Sequence, residues 1–112
     1  MAKYVILASY SDDAVSHMMQ HPADRATAVA KAIKAAGGKL ESFHWMLGPY
    51  DALVIVDLPD SKTLAATALA VISTHSLKKF ESYELIPHAD IAEIEEQARS
   101  VAQSYQPPGM EQ

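Results

Sequence analysis

An α+β fold is what this sequence predicts: strands and helices in the order βαββαβ, giving a four-stranded antiparallel sheet with two helices on one face and an extra C-terminal helix. Three observations carry it. Segments of strand character alternate with segments whose apolar residues recur every three or four positions. Residues 40–47 and 51–58 both read as strands, and the loop between them is too short for a crossover, so they form an antiparallel hairpin. The stretch Ala52-Leu53-Val54-Ile55-Val56 is apolar on both faces, so each face of the sheet needs a cover.

The elements follow in order. Tyr4-Val5-Ile6-Leu7-Ala8-Ser9-Tyr10 is rich in β-branched and aromatic residues, and Ser11-Asp12-Asp13 supplies a helix cap and first-turn acids. The helix runs to about Gln20, where Pro22 interrupts it and starts a second piece. Ala26, Val29, Ala30, Ile33 and Ala36 give that piece an apolar face, and Gly37-Gly38 ends it. After the hairpin, Pro59 stops the strand, Asp60 or Ser61 caps the next helix, and Leu64, Ala68, Leu69, Val71 and Ile72 form its apolar side. Residues 77–86, with Phe80, Tyr83, Leu85 and Ile86, fit a fourth strand stopped by Pro87. Ile91, Ile94, Ala98 and Val101 mark an amphipathic acidic helix within residues 88–105, and residues 106–112, containing Pro107-Pro108-Gly109, read as a disordered tail. Residues 1–87 form the main domain.

Two helices cover only one face of four strands. Sheet-on-sheet packing with a second copy would cover the other, burying roughly 800 Å² or more per partner, so a homodimer or higher homo-oligomer is expected. Composition is that of an ordinary globular chain: of 112 residues, 49% are hydrophobic and 21% charged, a balance that folds. No apolar run approaches the roughly 20 residues of a membrane span, and Lys3 leads into a strand pattern rather than a signal segment, so a soluble cytoplasmic protein with no membrane partner is expected. The absence of cysteine excludes disulfides, thiolate metal sites and cysteine nucleophiles. Of the net charge of −5, the part after Pro87 accounts for −4, with Asp90, Glu93, Glu95, Glu96 and Glu111 against Arg99 alone. The rest holds nine acids and eight bases with no basic stripe to follow a phosphate backbone, which argues against nucleic-acid binding.

The hairpin turn reads Gly48-Pro49-Tyr50-Asp51. Together with Gly37-Gly38-Lys39-Leu40-Glu41 before it, Val56-Asp57-Leu58-Pro59-Asp60 after it and Arg25 near the helix break, it makes residues 3 to about 86 resemble the GYD-domain family, whose name describes a Gly-Tyr-Asp turn. The resemblance spans about three quarters of the chain and implies a ferredoxin-like fold of the dimeric α+β barrel type. The family has no generally established activity, so the resemblance supplies no reaction. The acidic helix and tail lie outside it.

Candidate chemistry comes from a few side chains. Tyr50 and Asp51 stand first as ligand-facing groups at a barrel mouth, although Gly48, Pro49 and Asp51 are also what a tight turn needs. His44 is the sole histidine within a strand and is the candidate catalytic acid or base. A two-residue turn, Pro49-Tyr50, pairs His44 with Ile55 and sets it on one face with Met46, Asp51, Leu53 and Asp57, leaving Phe43, Trp45 and Leu47 on the other. A three-residue turn would instead bring Asp51 and Asp57 beside Trp45. Tyr10, Tyr83 and Arg25 could add hydroxyl and guanidinium groups for a small phenolic or carboxylate ligand. Asp13, His17 and His21 share a helical face at metal-chelating spacing, but a solvated surface is the ordinary reading, and neither metal nor cofactor is expected. Gly-x-Ser-x-Gly, a Gly-rich phosphate loop and His-Glu-x-x-His are all missing.

Two functions of different class fit. One is a small-molecule-binding or accessory homo-oligomer with an apolar pocket edged by His44, Tyr50 and Asp51. The alternative is a cofactor-independent monooxygenase or isomerase of the dimeric α+β barrel type, for which His44-Trp45 is the sequence cue. The similarity of the hairpin to effector domains of leucine-responsive regulators adds a regulatory reading, which needs a partner because the chain lacks a helix-turn-helix of its own.

Overall fold

The computed structural model describes residues 1–110. Strand β1 (Ala2–Tyr10) leads into α1 (Asp12–Gln20) and α2 (Arg25–Ala35); the hairpin strands β2 (Lys39–Trp45) and β3 (Ala52–Leu58) follow, then α3 (Ser61–Ile72) and β4 (Leu77–Leu85). A short 3₁₀ turn, His88–Asp90, opens into α4 (Ile91–Ala102). The strands form one antiparallel sheet in the order β2-β3-β1-β4. This α+β arrangement fits a ferredoxin-like fold.

Helices α1, α2 and α3 each start where a short polar side chain can take an orphan amide, whereas the Asp90 side chain makes no such bond at the start of α4. Ser11 Oγ accepts from the Ala14 amide at 3.1 Å, Asp24 from Thr27 at 3.1 Å, and Asp60 from Thr63 at 2.9 Å. The exit from α2 is set by two glycines. Gly38 N–H donates to the Ile33 carbonyl and Gly37 N–H to that of Lys34, the paired bonds of a Schellman ending, with Gly37 at φ +85°. A Cβ on Gly38 would lie 2.1 Å from the Asp57 carbonyl oxygen, so only glycine lets the helix turn this tightly onto the neighbouring strand.

α2 and α3 lie on one face of the sheet. Beneath them Tyr4, Ile6, Val54, Val56 and Leu58 of the sheet form the core with Ile33 of α2, and Val56 and Leu58 are fully buried. The alternate residues Val5, Leu7, Leu53 and Ile55 point to the far face and keep partial solvent access. The hairpin differs from both expected turns. Trp45 pairs with Ala52 and His44 with Leu53, and Met46 N–H donates to the Asp51 carbonyl at 2.8 Å, leaving a four-residue turn, residues 47–50. The register slips by two from the two-residue expectation, so His44 keeps its expected face with Leu53 and Ile55, and Phe43 and Trp45 stay with the helices, whereas Asp51 and Met46, expected beside His44, lie in the groove with Trp45. Glu41 falls at a bulge between Leu40 and Ser42. Lys3 on β1 pairs with Glu41, and with Asp57 at 3.6 Å.

α4 stands apart. All of its residues are exposed, and the groove by which Ile94 approaches Met1, Lys3 and Leu85 is its nearest approach to the sheet. The radius of gyration is 18.5 Å, against about 13 Å for a compact domain of this length, and the longest axis is 63 Å. Pro107 to Met110 close a turn through the Met110 amide. The last two residues of the expected disordered tail, 111 and 112, lie outside the described residues.

Candidate functional site

The side chains that α2 and α3 turn towards the sheet, Thr67 and Val71 among them, do not fill the space above it. A cavity of about 140 Å³ remains, lined by Ile6, Val54, Phe43, Phe80, Val29 and Val71 among others. Ala28 and Ala32 form its roof on α2. Tyr10 and Arg25 border both this cavity and an outer groove that contains Trp45, Asp51 and Met18.

Arg25 is the first residue of α2, which places its side chain over the end of β1. Its guanidinium carbon stands 5.8 Å from the centre of the Tyr10 ring, within cation–π range. Its Nε is buried without a hydrogen-bond partner, and no carboxylate among the described residues forms an ion pair with it. Tyr10 is itself buried and meets the Trp45 ring at 5.9 Å, while Trp45 packs edge-on against Phe43 at 5.2 Å. The walls of the mouth are therefore aromatic, and its one cation there is unpaired.

The Gly-Pro-Tyr-Asp turn holds this mouth in place. Asp51 Oδ2 accepts from the Tyr10 amide at 2.9 Å, and the Asp51 amide donates to the Ala8 carbonyl at 2.9 Å. Ser9 Oγ, almost fully buried, donates to the Pro49 carbonyl at 2.6 Å. Gly48 adopts φ +142°, a conformation that suits glycine. Asp51 thus fastens the turn to the end of β1.

The other expected residues lie elsewhere. On the far face, the Tyr50 hydroxyl donates to Glu81 Oε1 and the Tyr83 hydroxyl to Glu81 Oε2 at 2.7 Å, with Lys79 Nζ 5.6 Å from the Tyr50 ring. These hydrogen bonds hold the Glu81 carboxyl below its ordinary range and push both phenols above theirs. His44 is exposed on the far face of β2, opposite Leu53. So Tyr10, Arg25 and Asp51 come together at the cavity mouth, Tyr50 and Tyr83 meet at Glu81, and His44 joins neither group. His17 lies on α1 and His21 caps it, both exposed; no three His, Asp or Glu side chains among the described residues are grouped to hold a metal ion.

Glu81 was not singled out by sequence reasoning, and Trp45 entered only beside His44 as a cue for the enzyme reading. The signal for Glu81 was its i, i+2 spacing from Tyr83, which puts both on one face of a strand. For the cavity it was the density of alanine in α2 and α3.

Comparison with known proteins agrees with the turn. A 28% identical relative over 92 residues, covering 81% of this chain and 95% of its own, is the glutamine synthetase and cystathionine beta-lyase binding protein of Thermus thermophilus. An Arabidopsis thaliana protein whose crystal structure was treated by ensemble refinement is 18% identical and aligns with a TM-score of 0.49 over 78% of this chain and 95% of that one. The family model described as GYD domain matches residues 4–94, a span that holds all of the sheet but the first two residues of β1, together with the cavity and the Gly48-Pro49-Tyr50-Asp51 turn. The chain belongs to the GYD-domain family.

Proposed function

We propose that the protein is a small-molecule-binding accessory protein acting as a homodimer or higher homo-oligomer in the cytoplasm. The observation that carries the binding reading is the apolar cavity under α2 and α3, opened to solvent by a mouth of Tyr10, Arg25 and Trp45. Pre-formed apolar cavities edged by a few polar groups are where small ligands bind. The Thermus relative, named as a binding protein, supports an accessory role, with another protein as the client of the ligand-loaded or ligand-free form. Among the described residues no helix is long and apolar enough to cross a membrane.

Support for self-association comes from the far face. Val5, Leu7, Leu53 and Ile55 make an apolar centre there, with the Tyr50–Glu81–Tyr83 cluster and His44 on either side. Two such faces packed together would form the two-chain barrel, and α4, whose apolar stripe has no cover of its own, would extend over the second copy. A 12-residue helix is marginal in water without packing. The enzyme alternative, a cofactor-independent monooxygenase or isomerase, needs an acid or base at the cavity; His44, on the opposite face of the sheet, favours the binding reading.

Native mass spectrometry of the protein isolated without added ligand tests the proposal. A multimer carrying a small adduct, lost in Val71→Phe where the larger ring occupies the cavity, is the expected result. A bare monomer would overturn it.

A further inference from the structure

We infer that the ligand is a monoanionic apolar acid about the size of one ring, its carboxylate on Arg25 and its hydrocarbon part in the cavity. The inference rests on the binding reading above and gives that site its ligand chemistry. A cavity of about 140 Å³ is close to the volume known to take a benzene ring, and its lining is almost wholly hydrocarbon. A ligand that only filled it would need no charge.

The charge requirement comes from Arg25. A buried guanidinium N–H without a partner is an unsatisfied donor, and proteins rarely leave one without a compensating group. The Tyr10 ring occupies one side of the guanidinium, so an acceptor must come in from the cavity or the groove. The nearby acids are already engaged. Asp24 caps α2 through the Thr27 amide and hydroxyl, at 3.1 and 2.8 Å, and Asp51 accepts from the Tyr10 amide. A carboxylate matches the guanidinium fork with two parallel hydrogen bonds. At the first residue of α2 it would also meet the positive end of the helix.

The same surroundings limit the charge to one. The Asp51 carboxylate lines the groove beside Arg25, and a phosphate or dicarboxylate would bring a second negative charge towards it with no second cation lining either space. Trp45 and Phe43 then stack beside the ring or chain that carries the acid.

Isothermal calorimetry on the full-length oligomer with benzoate, phenylacetate and the neutral benzyl alcohol tests this. The expected result is an acid bound at least about tenfold more tightly than benzyl alcohol, a preference lost in Arg25→Met, in which acid and alcohol bind alike. Equal affinity for acid and alcohol in the wild type would overturn the anion inference while leaving the cavity as a binding site. No binding of any of the three would overturn both. If Arg25→Met does not fold, Arg25→Lys decides: loss of the two-pronged fork should weaken the acid and not the alcohol, and an unchanged acid affinity would count against Arg25 as its seat.

Discussion

Along β3 the residues Val54, Val56 and Leu58 are at most 6% exposed, whereas Leu53, Ile55 and Asp57 between them keep partial access to water. One strand therefore serves two different surfaces. Towards α2 and α3 it closes a core and the floor of a cavity; towards the far face it shows an apolar centre edged by Tyr83, Glu81 and His44. The hydrophobic core of the single chain therefore lies on the helix face, while the far face holds its polar side chains through the Lys3 ion pairs and the Tyr50–Glu81–Tyr83 bonds and leaves its apolar centre half-exposed.

The sharpest way to break this contrast is a charge on each side. Val56→Asp buries an unpaired carboxylate in the core and should cost on the order of 4 kcal/mol or more, enough to unfold the chain by circular dichroism. Ile55→Asp, one residue away, should leave the fold intact and dissociate the proposed oligomer in light scattering coupled to size exclusion. If both variants unfold alike, the two faces do not differ as argued. Truncations come next. Leu58→Ala should lose about 2–5 kcal/mol in urea titration, and Leu53→Ala about 1 kcal/mol at protein concentrations where the subunits are separate.

A smaller effect is expected on the arm. Val101→Asp, at a position 61% exposed and clear of the groove that Ile94 shares with the sheet, should leave the unfolding free energy of the body in urea within about 0.5 kcal/mol of wild type, yet lower the mass or thermal stability of the proposed oligomer. An unchanged oligomer would detach the arm from assembly. The smallest effect concerns Glu81. Its folded pKa lies below the unfolded value, so the Tyr50 and Tyr83 bonds stabilise the fold above the unfolded carboxyl range and that contribution fades as pH falls through the folded pKa. Tyr50→Phe should flatten this acid limb of a stability–pH profile while leaving the neutral-pH fold in place. A limb of unchanged slope would mean that the hydroxyl–carboxylate bond does not form in solution.

Much of the fold was legible because each element carries its own local instruction. Ser11 and Asp60 cap helices as their position before an apolar run implies, and Gly37-Gly38 marks the exit tight enough to exclude a Cβ, whereas α2 starts at Arg25 under an Asp24 cap rather than at Pro22, where its start was expected. The turn length was not legible. Leu47 reads as one more apolar strand residue, but the Met46–Asp51 bond closes the ladder before it, and Leu47 is left fully exposed. Strand parity at residues 43–45 survived only because the slip was an even number of residues; beyond the bulge at Glu41 it is lost, and Leu40 packs on the core as Phe43 does.

The site was legible in its members and not in its grouping. Tyr10, Arg25 and Asp51 meet, but Tyr50, next to Asp51 in the chain, turns to the opposite face and finds Glu81. Which way a loop side chain swings depends on the backbone of the turn, which periodicity does not encode. A cavity is likewise what remains after helices have packed, and only the small side chains Ala28 and Ala32 hinted at it.

The bulge at Glu41 has a consequence for how copies can add to one another. β2 and β4 are the two edges of the sheet, and an unguarded edge invites strand-by-strand addition, which repeats without end and grows a fibre. On β2 that invitation is withdrawn by the local kink at Glu41 and by exposed Lys39; on β4 by Lys78, Lys79 and Glu84. Growth by edges is thereby discouraged. A face, unlike an edge, is used up when it meets its equal, so an assembly built on the far face reaches a finite size and stops.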